Sequence, residues 1–476
     1  MMNGWRKIAK RLALAALMLL APSAACAAEL DGASMGWLWA LPFAGILLSI
    51  ALGPLIAAHF WHAHYGKIAA LWALITLAAL TLRYGVSAAV AALLHALLGE
   101  YMSFIILLFA LYTVAGGLLI TGNLGGKPWS NAALLVCGTA LASIIGTTGT
   151  SVVLIRPLIR ANAMRAHNVH IVVFFILLVA NVGGALSPLG DPPLLIGFLR
   201  GVDFLWPLRH LWLQTLISAG LILAIFVALD LWMARRDGPA ATEGAAVRVY
   251  GLINLPLMAA IVGVILLSAA WQPSMELDIY GTVLSLQNLL SAVALVIIAL
   301  ASLWLTPDEH RAANGFTWEP IAEVAKLFAG IFVCIIPVLA MLGAGRDGPF
   351  AFLLEAVTAR DGTPHEAAYF WLTGGLSAFL DNAPTYLVFF ELASGNAKEL
   401  MGPLAGTLAA ISMGAVYMGA LTYIGNAPNL MVYAIANEQG VKMPSFFGYL
   451  FWAACVLVPL FLILTLLPIS PILRLA

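Results

Sequence analysis

The chain has 476 residues, of which 63% are hydrophobic and 9% charged, with 22 basic and 22 acidic side chains and a mean hydropathy of +1.00. Soluble globular domains carry roughly 25% charged residues, so this composition excludes a soluble enzyme and predicts an all-α polytopic membrane protein. A net formal charge of zero offers no basic surface for nucleic acid or anionic lipid.

At the N-terminus, Arg6, Lys7, Lys10 and Arg11 precede a short apolar run, 12–20, that ends in the small residues APSAACAA. This is the order of parts in a secretory signal peptide. Cleavage after Ala27 would remove residues 1–27 and leave the mature N-terminus outside the cytoplasm; the alternative is an uncleaved first anchor helix. Apolar runs of bilayer-spanning length follow at 35–58, 68–98, 101–121, 131–159, 169–199 and 208–234. The 68–98 run is long enough for a bent or paired element. A histidine cluster, HFWHAHYGK from His59 to Lys67, reads as an interfacial loop, because aromatic side chains favour the headgroup level.

A first transmembrane repeat, 28–234, then ends in a polar linker, 235–251, whose arginines favour the cytoplasmic side. A second repeat, 252–476, carries spans near 252–270, 284–306, 321–342, 367–393, 402–437 and 446–467, which makes about 11–13 transmembrane helices in all. Cys137, Cys334 and Cys455 stand alone in apolar segments without metal-ligand spacing and read as packing residues.

Each half contains two apolar segments interrupted by small and polar residues. In the first half the breaks are GTTGTS, from Gly146, and SPLGDPP, from Ser187; in the second they are LDNAPT, from Leu380, and TYIGNAPN, from Thr422. The spacing is 43 positions from Thr147 to Gly190 and 44 from Asp381 to Gly425, which points to an internal repeat. Secondary transporters use paired repeats whose discontinuous helices meet near the bilayer midplane. Broken backbone survives there only when buried in protein or lining a watery cavity.

The stretches ANVGGALSPLGDPPLLIGFL, from Ala180, and YIGNAPNLMVYAIA, from Tyr423, resemble the broken helices of the ion transporter superfamily. That superfamily includes the NhaD-type sodium/proton antiporters, the ArsB-type arsenite carriers, and the citrate/metal and dicarboxylate/sodium symporters. GTTGTS and LDNAPT occupy the places of the symporters' Ser-Asn-Thr hairpin motifs, and LDNAPT is similar to the Asp-Asn-x-Pro of the antiporters. About two thirds of the chain, 131–437, is covered in the right order. The resemblance implies two inverted repeats, each with a re-entrant hairpin and a broken helix. It also implies a multi-pass protein of a bacterial-type inner (plasma) membrane, and a homodimer with elevator-like motion. In two places this chain departs from the symporters: GTTGTS lacks the hairpin amide, and Asp191 stands where many relatives have a neutral residue.

Sodium prefers oxygen ligands. The breaks supply Asp191 and Asp381 as acids, with Asn382, Asn426, Asn429, Thr147, Thr148, Thr150, Ser151 and Ser187 as neutral oxygens. Hydroxyls of this kind also bond back to helix carbonyls, and asparagines and aspartates also cap half-helices. Burial favours a protonated carboxylic acid and a bound cation favours its ionised form, so one acid can hold either a proton or sodium. On that logic Asp191 and Asp381 hold sodium transiently, and Asp381, which begins the second hairpin, is the stronger candidate. Transported Na+ and H+ are the only ions implied, with no cofactor.

Arg156, followed by Arg160 and Arg165, reads as an interfacial residue whose head snorkels to water, although a guanidinium also suits a carboxylate substrate. Asp230, Glu355 and Glu391 read as interfacial too. Sodium/proton antiport is therefore the expected activity, with cation-coupled transport of citrate, a dicarboxylate or an oxyanion as the alternative. An intramembrane aspartyl protease fits poorly. PLGD has Pro188 in place of the first glycine of Gly-x-Gly-Asp, and Asp381 follows Leu380 instead of a tyrosine. No phosphate-binding loop marks an ATP-driven pump, and HEAAY, from His365, lacks the second histidine of a zinc protease.

Overall fold

The structure is a computed structural model that describes residues 30–466 apart from 124, 238–244, 272 and 274. The expected signal peptide, 1–27, and the middle of the polar linker lie outside the described residues. The elements are helical almost throughout. In chain order they are α1 (Leu41–Ile56), α2 (Ala58–Leu94), α3 (Met102–Ala115), α4 (Pro128–Ile145), α5 (Thr147–Ala161), α6 (Val169–Leu178), α7 (Pro192–Leu199) and α8 (Trp206–Asp237). The second half contributes α9 (Asn254–Ala270), α10 (Leu286–Leu305), α11 (Glu319–Cys334), α12 (Ile336–Gly343), α13 (Glu366–Phe379), α14 (Asn382–Ala393), α15 (Ala405–Met418), α16 (Ala427–Glu438) and α17 (Phe446–Leu466). The chain is thus the all-α polytopic membrane protein that its composition predicts.

Among the described residues seven helices are long and apolar enough to cross a bilayer, and α11 with α12, bent by 42°, makes an eighth. The expected count of about 11–13 includes the interrupted segments. Those segments are divided because glycine and proline stop each helix, leaving pieces of 15 residues in α5, 10 in α6, 8 in α7, 12 in α14 and 12 in α16. The separation expected between 98 and 101 is absent. Helical backbone runs from Ala58 to Ala115, wound more widely over His95–Tyr101, and the break falls earlier, at Gly85, where φ is 87°.

Two groups of helices pack separately. In the first, α1 lies on α2, α2 on α11, and α3 on α10 and α9; in the second, α4 pairs with α5, α13 with α14 and α15, α5 with α16, and α7 with α14. They meet where α3 touches α5 and α7 and where α12 touches α14. A lipid-facing shell is visible in side chains such as Leu82 and Trp304, 88% and 85% exposed. By contrast, every residue from Ile171 to Val182 is at most 2% exposed, and Thr407–Met418 is buried as deeply. The broken helices therefore run through the centre of the protein, shielded from hydrocarbon that cannot hydrogen-bond to them. Cys334 is a packing residue as expected, whereas Cys137 and Cys455 are exposed on apolar helices.

On one surface the strand Leu119–Asn123 pairs antiparallel with Ala245–Tyr250, which brings the polar linker beside the ends of α3 and α5. Beneath it lies a buried ionic cluster that corrects the interfacial reading of Asp230. Its carboxylate is 0% exposed, pairs with Arg165 Nη1 at 2.5 Å, contacts His170 Nε2 at 2.9 Å and accepts from Asn131 Nδ2 at 3.0 Å. Asn131 and Asn162 exchange side-chain hydrogen bonds, so the cluster ties the two ends of the α4–α5 pair to α6 and α8. Glu391 is also ion-paired, with Arg200.

Removing one member of a buried ion pair strands the other. Asp230→Ala is expected to lower stability in detergent by about 3–5 kcal/mol, whereas Arg209→Ala, from the exposed pair with Asp203, should cost less than about 1 kcal/mol. Thermal unfolding of both variants checks the contrast.

Candidate functional site

The four breaks converge. Gly146, with φ of 82°, ends α4 and lets α5 begin at once in a new direction, and Thr147 N donates to the Gly190 carbonyl at 2.8 Å across to the next break. The chain after α6 passes through a short 3-10 turn, Val182–Leu186, then extends through Ser187 and restarts at Asp191 with prolines in the first turn of α7. The second half follows the same course: a 3-10 turn at Gly419–Leu421, an extended Thr422, then Asn426 before a proline in the first turn of α16. Proline suits that position because the first helical N–H has no partner in any case.

Hydroxyls fasten both turns to the neighbouring helices. Ser187 Oγ donates to the Ser143 carbonyl and Thr422 Oγ1 to the Ala378 carbonyl, each 44 positions back. Close backbone contact requires glycine at Gly190, where an added Cβ would stand 2.1 Å from the Gly184 carbonyl oxygen, and at Gly425, where it would stand 2.6 Å from that of Gly419.

Asp191 is the hub of the site. It is 1% exposed, and its Oδ1 accepts from Thr147 Oγ1 and Asn426 Nδ2, both at 3.0 Å, while Oδ2 accepts from Asn382 Nδ2 at 2.6 Å. One carboxylate therefore joins the starts of α5, α7, α14 and α16. Although Asp191 holds the N-cap position of α7, its carboxylate makes no hydrogen bond to that helix. Asp381 behaves differently: Oδ1 caps α14 by accepting from Ala383 N at 3.1 Å, and the side chain also lines a cavity.

Of the other expected residues, Thr148 lines the same cavity and Ser187 is engaged with α4. Asn429 lies one step behind the hub, donating to the Gly419 and Thr422 carbonyls and accepting from Asn181 Nδ2 at 2.7 Å. Thr150 Oγ1, Ser151 Oγ and Asn382 Oδ1 are buried without a hydrogen-bond partner among the described residues. These are oxygens of the kind that a dehydrated cation takes as ligands.

The cavity encloses about 620 Å³. Its floor is the hub, with Thr147, Gly190, Asp191 and Asn426 buried, and its mouth is marked by exposed Thr317, Glu319 and Glu438. The mouth lies on the linker side, since Arg311 and Asn314, just before it, donate to the carbonyls of Thr113 and Leu118 beside the linker strand pair.

Arg156 lies toward the cavity mouth, its guanidinium beside Gly315 and within electrostatic reach of Glu438. It lines the cavity on α5 and forms no ion pair or hydrogen bond among the described residues. The sequence reading also missed Asn181, whose Oδ1 accepts from Asn426 Nδ2 at 3.3 Å, and the mouth acids Glu319, Glu323 and Glu438. Asn181 carries a signal of its own, an amide inside an apolar run just ahead of two glycines.

Interrupted helices meeting beneath a cavity, inside a lipid-facing helical shell, are an arrangement that membrane transporters use. Residues 32–469 match the model of a family described as "Putative citrate transport", and the chain belongs to that family. Uncharacterised transporters of Mycobacterium bovis and Mycobacterium tuberculosis are each 28% identical over 335 residues, 67% of this chain and 72% of the relative. The protein is a multi-pass membrane transporter.

Gly190→Ala should push the chain at 190 off the Val182–Leu186 turn and lower stability in detergent by about 1–3 kcal/mol, with transport lost. Gly263→Ala, where nothing lies within 4 Å of the added Cβ, is the control and should leave both unchanged. Thermal unfolding and flux assays on the same preparations make the comparison.

Proposed function

We propose that this transporter exchanges sodium for protons across a bacterial-type inner membrane, with Asp381 and Asp191 as the groups that hold one or the other. The observation that carries the reading is the charge of the cavity wall. Asp191, Asp381, Glu319, Glu323 and Glu438 line it against a single arginine, Arg156. A cleft lined by one sign of charge concentrates ions of the other, so this one gathers cations and disfavours a free polyanion.

Asp381 is the group that meets an arriving ion, since its Oδ2 has no hydrogen bond among the described residues while the carboxylate faces the cavity. Asp191, three times hydrogen-bonded, holds the breaks in register and places a second carboxyl group near the floor. A proton and a sodium ion competing for this pair give exchange with no further machinery.

We also read the two halves as inverted repeats. Supporting this, Asp191 and Asn426 are 235 positions apart, and Ser143 with Ala378, Ser187 with Thr422, and Gly190 with Gly425 correspond at the same offset. The α4–α5 pair reaches the linker side, whereas α14 and α7 run together toward the opposite one. Under the positive-inside rule, Arg160, Arg165, Arg235 and Arg236 make the linker side cytoplasmic. On the family resemblance we further propose a homodimer.

A second reading is cation-coupled transport of citrate or a dicarboxylate. The family description favours it, as does the guanidinium of Arg156 on the cavity wall, which makes no ion pair among the described residues.

Proteoliposomes carrying a lumenal pH dye distinguish the two. With antiport, external sodium or lithium raises lumenal pH, and Asp381→Asn reduces the response at least about tenfold, as loss of a charge-assisted ion contact implies. The reading fails if cations alone give no pH response while a cation gradient drives uptake of labelled citrate or succinate that Arg156→Gln abolishes.

A further inference from the structure

Arg200 follows the last turn of α7, on the side of the breaks away from the cavity mouth. Its guanidinium joins two acids: Nη2 lies 2.9 Å from Glu100 Oε1, and Nη1 pairs with Glu391 Oε1. All three side chains are mostly withdrawn from solvent, at 21%, 19% and 14% exposed.

The two ion pairs connect different things. Glu391 is on α14, which packs along α7, and both helices start at the Asp191 hub. The Arg200–Glu391 pair therefore lies within the group of helices that carries the breaks. Glu100 belongs to His95–Tyr101, between α2 and α3, in the other group. The Arg200–Glu100 pair crosses the line where the two groups meet, beside the contact of α3 with α7. None of the three residues lines the cavity, so the site is approached from the linker side and is sealed on the far side by that contact, by α12 against α14 and by this pair.

A transporter has to expose one site to each side in turn, by moving one bundle against the other. Opening the far side requires α7 and α14 to part from α3 and α12, and every polar bond across that line must then break. A bond inside one group need not.

We propose that the Arg200–Glu100 ion pair is a latch that holds the far side shut in the conformation seen here, and that Glu391 keeps the Arg200 charge compensated when the latch opens. Without Glu391, separation would leave a guanidinium unpaired at a partly buried position, which is costly. With it, the arginine exchanges two acidic partners for one, and Glu100 is released toward the water that enters. Removing Glu100 therefore favours the far-open conformation, whereas removing Glu391 leaves the latch in place.

The inference rests on the transporter assignment and not on the identity of the ion. The test uses the full chain with its cysteines replaced by serine and Leu195→Cys, which lines the cavity, as a reporter. A membrane-impermeant thiol reagent is applied from either side of oriented vesicles. Glu100→Gln is expected to speed labelling from the far side by about two- to fivefold, the range that an ion pair of modest worth supports, and Glu391→Gln is expected not to.

In a separate cysteine-free background without the reporter, Glu100→Cys with Arg200→Cys, bridged by a bifunctional thiol reagent, is expected to stop flux until the bridge is reduced. Unchanged far-side labelling in Glu100→Gln with normal labelling from the mouth overturns the latch. So does an equal rise in both single variants, or transport by the bridged protein at the unbridged rate. Loss of the sodium-dependent pH response would overturn antiport while leaving the labelling result intact.

Discussion

Everything in this fold depends on how a carboxylate and several freed backbone groups are satisfied where hydrocarbon supplies no water. Asp191 answers that constraint by accepting from Thr147, Asn382 and Asn426, side chains that belong to three other helix starts. The contact also fixes geometry. Because the four breaks share one acceptor, none can shift by a residue without leaving a buried donor unpaired, at a cost of about 1–3 kcal/mol each.

Shielding follows from the same constraint. The segments leading into the two broken helices are buried along almost their whole length, and the lipid-facing work is left to long helices such as α8 and α10. Small residues let the interrupted backbone pack this closely; Gly190 and Gly425 lie against carbonyl oxygens with no room for a methyl group. At the linker surface the Asp230 cluster clamps both ends of the α4–α5 pair, so the tip that carries Thr147 is anchored far from where it acts.

Much of this was legible in the sequence, for a physical reason: glycine, proline and aspartate inside apolar runs have few tolerable explanations. The spacing between paired breaks reappears as hydrogen bonds spanning 44 positions, from Ser187 to Ser143 and from Thr422 to Ala378. What stayed hidden depends on which way a side chain turns. Arg156 has two further arginines after it and so resembles an interfacial cluster, and nothing in that pattern shows that it also lines the cavity. Asp230 sits near a helix end and resembles a solvated residue, yet Arg165 and His170 fold over it. The bend at Gly85 was also missed, because an isolated glycine in a long apolar run carries no sign of whether the helix will pass through it or stop.

Asp191 and Asn426 occupy the same place in two similarly built turns, each before a helix with proline in its first turn, and the two side chains are hydrogen-bonded to each other. They have nearly the same shape and differ in one atom, an oxygen against an amino group. Two aspartates there would repel, with neither able to donate when ionised, and two asparagines would leave the centre of the molecule neutral. The mixed pair gives that centre a single negative charge and a direction, one turn accepting and the other donating. Two turns of equal form are thereby made chemically unequal, and an ion arriving at the floor meets a polarised centre instead of a symmetric one.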